Sequence, residues 1–151
     1  MSELIRLSPS FYGITMVPKD SWLEYGYALL TIAGSDGDVS DPELEWLTID
    51  LAKSVNVSED IIAKWEEFDF EEAELSEIFA DIQVKSFANF NKLLLYDAIR
   101  MSYADDEYAE EEKEKVYEAA SILKINNEAV VAIESLVEME RAADKLRTLI
   151  F

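Results

Sequence analysis

An all-α fold is predicted by three features of the sequence. Helix-favouring residue types are common in the 151-residue chain, which has only four glycines and three prolines. Apolar residues recur at helical spacing, as in Trp22, Tyr25, Leu29 and Ile32, and no stretch of useful length alternates as a strand would. Half of the residues are hydrophobic, which is enough for one folded core. We therefore expect a single all-α domain over residues 1–151.

The predicted helices follow one another along the chain and are separated by breaks rich in Asp, Gly and Pro. Residues 1–18 contain two prolines and one glycine, and we expect them to form an extended leader packed on the body. Helices are predicted over about 20–33, 41–55, 58–65, 71–80, 85–103, 109–123 and 127–151. Several of the breaks between them are strongly acidic.

The charge balance of the chain argues against several classes of function. There are 33 acidic and 13 basic residues, which gives a formal net charge of -20. Binding to nucleic acid or to an anionic membrane surface requires clustered Lys and Arg, so neither is expected. Cations and protein partners are what such an electrostatic field attracts, although an acidic surface can also serve only solubility.

Histidine and cysteine are both absent from the sequence. Their absence removes disulfides, cysteine nucleophiles, Ser-His-Asp triads and the usual zinc sites. A metal site in this chain must therefore use oxygen ligands, which favours calcium, magnesium or manganese. The sequence shows no signal peptide and no segment of the ~20 apolar residues that span a bilayer. We therefore expect a cytoplasmic protein without direct membrane insertion.

Two segments of the chain, 27–47 and 96–116, match at an offset of 69 residues. Each contains the end of an apolar helix, an acidic break and the acidic first turn of a second helix. The carboxylates that coincide are Asp36 with Asp105, Asp38 with Glu107, Asp41 with Glu110, Glu43 with Glu112, and Glu45 with Glu114. The sequence therefore predicts a bundle built from two pseudo-repeated helix–acidic loop–helix halves.

The acidic breaks are candidate cation sites. Residues 36–45 carry five carboxylates and no basic residue, and residues 105–118 carry eight carboxylates and two lysines. Carboxylates at this density repel one another, and a divalent cation would relieve the repulsion. Residues 36–43 supply a match to only half of the twelve-residue EF-hand loop. An EF-hand is therefore rejected, and any ion is expected to bind weakly. The candidate ligands for calcium or magnesium are Asp36, Asp38, Glu43, Asp105, Glu107 and Glu112.

Helix capping is an alternative explanation of the same residues. The run from Ser40 to Glu43 has the form of a capping box, in which Glu43 bonds back to the Ser40 amide. Ala109 takes the equivalent position in the second half and offers no side-chain cap. Glu43 shares a helical stripe with Leu47 and Leu51, so its carboxylate faces the core and needs loop amides or an ion as a partner. Capping alone and capping with a weak cation site both fit the sequence.

The run Ala33-Gly-Ser-Asp36-Gly37-Asp-Val-Ser-Asp-Pro-Glu43, with the related run Ala104-Asp105-Asp-Glu-Tyr-Ala-Glu-Glu-Glu112, resembles the TerB-like family of tellurite-resistance proteins. The resemblance covers roughly residues 20–135. It implies a bundle of about seven helices in two halves and a cytoplasmic, non-enzymatic role in stress or metal response, beside partners of the tellurite-resistance system. The implied cation ligands are Asp36, Glu43, Asp105 and Glu112. The sequence departs from the pattern at Asp106, where the turn glycine would repeat.

Two other functional classes compete with a cation-binding module. A protein-interaction adaptor with no metal role is the main alternative, and exposure of Trp46 or Trp65 would favour it. An enzyme using paired carboxylates is disfavoured because no neighbouring group would separate their pKa values and no cofactor motif is present.

Met101 and Met139 are expected in the core. The charged residues of the last helix are expected to form solvated ion pairs within that helix.

Overall fold

The computed structural model describes residues 22–81 and 90–151, which form seven helices and no strand, so the all-α prediction is confirmed. The expected leader over residues 1–18 and the expected first residues of the fifth helix, 85–89, lie outside the described residues. Short 3-10 turns occupy Gly34–Asp36, Phe70–Glu72 and Tyr103–Asp105. In chain order the helices are α1 Trp22–Ala33, α2 Asp41–Glu45 continued by Trp46–Leu51 and Ala52–Val55, α3 Glu59–Glu67, α4 Leu75–Asp81, α5 Phe90–Ser102, α6 Glu110–Ile122 and α7 Asn127–Ile150.

Helices α1 and α5, which are equivalent in the two halves, pack against each other at the centre of the bundle. Nine of the 12 residues of α1 are buried, and α5 is buried continuously from Leu93 to Ile99. A helix that is apolar on all sides needs neighbours on all sides. Helices α3 and α4 cover α1, while α6 and α7 cover α5.

Trp65 closes the core where α3 lies against α1. Its side chain is 1% exposed, and its indole Nε1 donates to the carbonyl oxygen of Leu23 at 3.1 Å. The indole lies directly on Gly26, where an added Cβ would overlap the ring. The missing side chain at Gly26 therefore permits the close contact of the two helices. Trp65 is a core residue and not an exposed docking aromatic.

Helix α2 contains a turn that the sequence did not predict. Residues Trp46–Leu51 are π-helical, with α-helical turns before and after them, whereas the equivalent α6 is α-helical over 110–122. Trp46 is half-buried beneath Arg100, whose guanidinium lies 5.2 Å from the Trp46 ring centroid and 5.0 Å from that of Tyr96. The two halves therefore differ at the turn that begins with Trp46, the residue whose ring lies under this cation.

Helix α7 packs on α5 and α6 through one face. Val137 on that face is buried, whereas Met139 is 69% exposed. The expectation that Met139 lies in the core is wrong, because two residues along a helix turn it by about 200° from Val137. Met101 is fully buried, as expected. None of the helices in the described part of the chain is long and apolar enough to cross a membrane.

Candidate functional site

The two acidic breaks fold into turns of the same shape. In the first, the Gly37 amide donates to the Gly34 carbonyl at 3.0 Å, and Gly37 has a φ of 103°. In the second, the Asp106 amide donates to the Tyr103 carbonyl at 2.8 Å, and Asp106 has a φ of 68°. Both backbones are left-handed, so Asp106 adopts the turn in spite of its Cβ. The departure from the repeat at this position leaves the shape of the turn unchanged.

Asp36 and Asp105 shape the next step of the chain in both halves. Asp36 Oδ1 accepts from the Asp38 amide at 3.3 Å, and Asp105 Oδ1 accepts from the Glu107 amide at 3.1 Å. Such Asx turns fix the direction in which the chain leaves. Asp38 and Glu107 therefore contribute backbone amides to these turns, and their side chains are exposed.

Glu43 and Glu112 bond back to the amides that precede their helices. Glu43 Oε1 accepts from the Ser40 amide at 2.9 Å, and Ser40 Oγ accepts from the Glu43 amide at 3.3 Å, which completes the predicted capping box. Glu112 Oε1 accepts from the Ala109 amide at 2.8 Å. The second half thus keeps the glutamate part of the box although Ala109 has no side-chain acceptor. Capping accounts for one oxygen of each glutamate.

The second oxygens of the two glutamates, both Oε2 atoms, are buried. Glu43 is 2% exposed and Glu112 is 1% exposed. Within the described part of the chain, no third residue donates a hydrogen bond to either Oε2 atom. The pKa of each glutamate responds to the other, so the two carboxyl groups are close neighbours in the interior. Two ionised carboxylates buried close together repel each other, so a proton or a cation at the pair would be stabilising.

The glutamates come close because a helix of each half packs against the acidic turn of the other half. The first turn of α2 packs against the 3-10 turn at 103–105, and α6 packs against the 3-10 turn at 34–36. The charge of Asp105 therefore acts on Glu43, and that of Asp36 acts on Glu112. This reciprocity is what a two-fold relation between the halves produces. The structure thus brings two of the six predicted residues, Glu43 and Glu112, into the interior, and it leaves the other four, Asp36, Asp38, Asp105 and Glu107, exposed on the adjoining turns.

Burial raises the pKa of both glutamates. For Glu112, burial followed by the neighbouring Glu43 raises the pKa to about 9. For Glu43, burial raises the pKa, while its bonds to Glu112 and to the Ser40 amide oppose the rise. Burial therefore favours a protonated form of the pair, and the two groups titrate as a coupled unit.

The pair supplies two buried oxygens to a potential cation. Within residues 22–81 and 90–151, no three Asp, Glu, His or Cys side chains converge closely enough to surround a metal ion. Asp36 and Asp105 are exposed on the adjoining turns. A cation between the glutamates would complete its ligand set from these turns and from water, as calcium and magnesium often do. The described residues therefore form no preformed metal cage.

Comparison with protein-family models gives no match, and comparison with the curated proteins gives none. Among solved structures, a tellurite resistance protein from Nostoc punctiforme is 30% identical to the chain, with a TM-score of 0.76. The match covers 98% of this chain and 92% of that protein. The chain belongs to the TerB-like tellurite-resistance family. The resemblance predicted from the two acidic runs is confirmed, and so is the all-helical bundle that it implied.

The contact between the glutamates of this TerB-like protein was not predicted from its sequence. Each glutamate was expected to face the core with loop amides or an ion as its partner; the bond to a loop amide is present in both, and the proximity of the two glutamates is the part that was not predicted. A signal was present, because Glu43 and Glu112 lie on the core-facing stripes of equivalent helices. Equivalent residues in a two-fold arrangement come together when they lie close to the axis.

A set of contacts between α7 and the second acidic turn of this TerB-like fold was also not predicted. Buried Glu134 of α7 accepts from Tyr108 Oη at 2.9 Å and from Tyr117 Oη at 3.1 Å. Arg141 of α7 forms an ion pair with Asp106. The expectation that Arg141 pairs within its own helix is therefore wrong, because its guanidinium reaches the turn. These contacts hold the second turn, and with it the start of α6, against the bundle.

A second buried acid of the TerB-like chain lies outside the predicted site. Asp97 is 3% exposed, accepts from Tyr25 Oη at 2.6 Å and lies 3.4 Å from the Arg100 guanidinium. Burial raises the pKa of Asp97 to about 6, while Arg100 and Tyr25 oppose the rise. The sequence signal was a lone charge inside the apolar run 93–99. Since Tyr25 is on α1 and Asp97 on α5, this bond joins the central helices of the two halves.

Proposed function

We propose that the chain is a non-enzymatic binding module of the tellurite-resistance system that holds calcium or magnesium weakly between its two halves and signals to protein partners. The observation that carries this proposal is the burial of Glu43 and Glu112 as close neighbours, with no residue of the described chain donating to either Oε2 atom. The similarity to a protein named for tellurite resistance supports a role in the tellurite-resistance system, and a stress response in the cytoplasm is the context that we propose for it.

The proposed mechanism is the exchange of a proton for a cation. At neutral pH the glutamate pair holds one proton because burial raises both pKa values. A divalent ion between the two groups would neutralise both carboxylates and release that proton. Cation affinity is therefore expected to rise with pH, with about one proton released per ion near pH 7. A dissociation constant of about 10⁻⁴ to 10⁻³ M is expected, as for the loosest calcium modules.

Occupancy of the site would change how the halves hold each other. Glu43 and Glu112 stand in the first turns of α2 and α6, and each of these helices packs against the turn of the other half. An ion in place of a proton alters the separation that the two carboxyl groups prefer. The surface around both acidic turns is then the region that a protein partner would recognise.

The same geometry favours binding over catalysis. Both carboxyl groups are almost completely buried, and one oxygen of each is already bonded to a backbone amide. An acid–base pair must reach the atoms of its substrate, and these two groups reach each other. The exposed carboxylates Asp38 and Glu107 remain predicted contributors to cation attraction through their charge.

Calcium or magnesium at millimolar concentration is expected to raise the melting temperature and to shift the amide resonances of residues 34–45 and 104–113. At ten times the dissociation constant, the stabilisation amounts to about 1.4 kcal/mol. The double variant Glu43→Gln with Glu112→Gln preserves side-chain shape, removes both ionisable carboxyl groups and is expected to abolish the response.

A matched control also removes two carboxyl groups, but from exposed positions. Asp41→Asn with Glu110→Gln changes equivalent residues in the same first turns, and both side chains are exposed. This variant is expected to keep the cation response. A flat titration of the unmodified chain would contradict the cation proposal and leave the protein-interaction adaptor as the function that the fold supports. An equal response in both variants would indicate unspecific screening of the acidic surface.

A further inference from the structure

Helix α7 carries an apolar stripe on the side that faces away from the bundle. Its packed face is centred on Val137, and the stripe lies about 120–180° around the helix from that residue. Met139, Leu146 and Leu149 on the stripe are 69%, 58% and 82% exposed. Six exposed residues alternate at spacings of three and four, as the a and d positions of a coiled coil do: Ala132, Ser135, Met139, Ala142, Leu146 and Leu149.

The last two turns of α7 are helical without a packed face. Residues 144–150 belong to the helix, and every one of them is exposed. A helical end without tertiary contacts is marginal in water because most helix stability comes from packing. The stripe and the exposed end together indicate a surface that a second helix covers.

We propose that a second copy of this chain covers the stripe, with the two α7 helices antiparallel about a two-fold axis. In one register of this antiparallel pair, every residue of the stripe faces a residue of the partner's stripe. It pairs Ala132 with Leu149, Ser135 with Leu146, and Met139 with Ala142, each pair occurring twice. In each layer a small residue faces a large one, so the helices can approach closely without a void.

The charges beside the stripe select the same register. Glu138 then lies opposite Lys145 of the partner subunit, and this pair also occurs twice. A shift by one heptad would instead place Lys145 opposite Lys145 of the partner subunit, which is repulsive. The self-complementary pattern is what an isologous interface requires.

A second copy also fits the local charge of α7. Residues 136–151 contain three acidic and three basic side chains, whereas the whole chain has a net charge of -20. A basic partner, which the rest of the surface attracts, gains nothing from a neutral stripe. The repulsion between two acidic chains opposes the contact and is screened by salt, so the dimer is expected to tighten as ionic strength rises.

Cross-linking through a single thiol tests the arrangement, because the chain has no cysteine of its own. In the proposed register, two copies of Ala142→Cys lie ~4.5 Å apart along the helix axes, and two copies of Leu149→Cys lie ~25 Å apart. A short bis-maleimide reagent is expected to link the first variant and not the second. Linking of both variants would indicate parallel helices and overturn the proposal, and so would linking of neither.

Sedimentation equilibrium of the full chain provides the second readout. The unmodified chain is expected to show a monomer–dimer equilibrium that shifts toward dimer with added salt. Leu146→Glu is expected to be monomeric with an unchanged melting temperature under dilute conditions, whereas Ile49→Glu, a control at a site 53% exposed on α2, retains the dimer. A monomeric wild type would overturn the proposal. A monomeric wild type destabilised by Leu146→Glu would show that the stripe is covered within one chain.

Discussion

Replacing Glu112 with glutamine is expected to flatten the pH dependence of stability between about pH 5 and pH 9. In the unmodified chain, burial and Glu43 raise the pKa of Glu112 from 4.5 to about 9. The folded protein therefore keeps a proton that the unfolded chain releases above pH 4.5. The free energy of unfolding then falls by up to about 1.4 kcal/mol for each pH unit in this window. The stabilisation is fully present below pH 4.5 and is lost near pH 9.

The glutamine variant removes this proton uptake, because its side-chain amide donates to Glu43 without titrating. Urea unfolding at pH 5, 7 and 9 measures the slope in both proteins, and the difference between them isolates the glutamate pair from the other acids. Glu110→Gln, exposed two residues away, is the control and should keep the slope of the unmodified chain. Equal slopes for the Glu112→Gln variant and the unmodified chain would contradict a shared proton.

Asp97→Ala is expected to destabilise the fold by about 3–5 kcal/mol, which is typical when one partner of a buried charged pair is removed. The carboxylate of Asp97 is buried between the Tyr25 hydroxyl and the Arg100 guanidinium. Its loss removes the bond between α1 and α5 and leaves a cavity in the core. Urea unfolding at pH 7 measures the change in the free energy of unfolding.

Two controls separate burial from charge. Asp97→Asn keeps the volume and an acceptor for Tyr25, so its loss is expected to be smaller, about 1–3 kcal/mol. Asp144→Ala removes an ion pair to Arg147 in which both side chains are more than half exposed, and it is expected to change stability by less than about 1 kcal/mol. A loss for Asp97→Ala as small as that for Asp144→Ala would show that the buried bond does not stabilise the contact of the halves.

The helices could be predicted because their signals are local. Ser40, Ser58 and Asn126 each accept from the amide three residues ahead, and these N-caps mark the starts of α2, α3 and α7 close to the predicted bounds. The repeat also carried local information. An Asp at the equivalent positions 36 and 105 predicted the same turn in both halves. The left-handed backbone of Asp106 shows that the second turn forms without the glycine of the first.

The features that were missed depend on contacts between distant parts of the chain. The Glu43–Glu112 contact joins residues 69 positions apart, and no local pattern reports which glutamate meets which. The same holds for Glu134, whose tyrosine partners come from another helix and from a turn. Met139 was misplaced because α7 is apolar on two sides, and spacing alone does not show which side meets the bundle. Tertiary packing decides each of these cases.

The side-chain carboxyl carbon shifts of Glu43 and Glu112, followed by NMR as a function of pH with and without calcium, test the cross-half glutamate pair most directly. We expect one proton to persist on the pair well above pH 4.5, with both resonances reporting its loss together. We also expect calcium at pH 7 to move both resonances to their deprotonated positions. Two independent titrations near pH 4.5 that calcium leaves unchanged would contradict the buried pair as the site of proton and cation exchange.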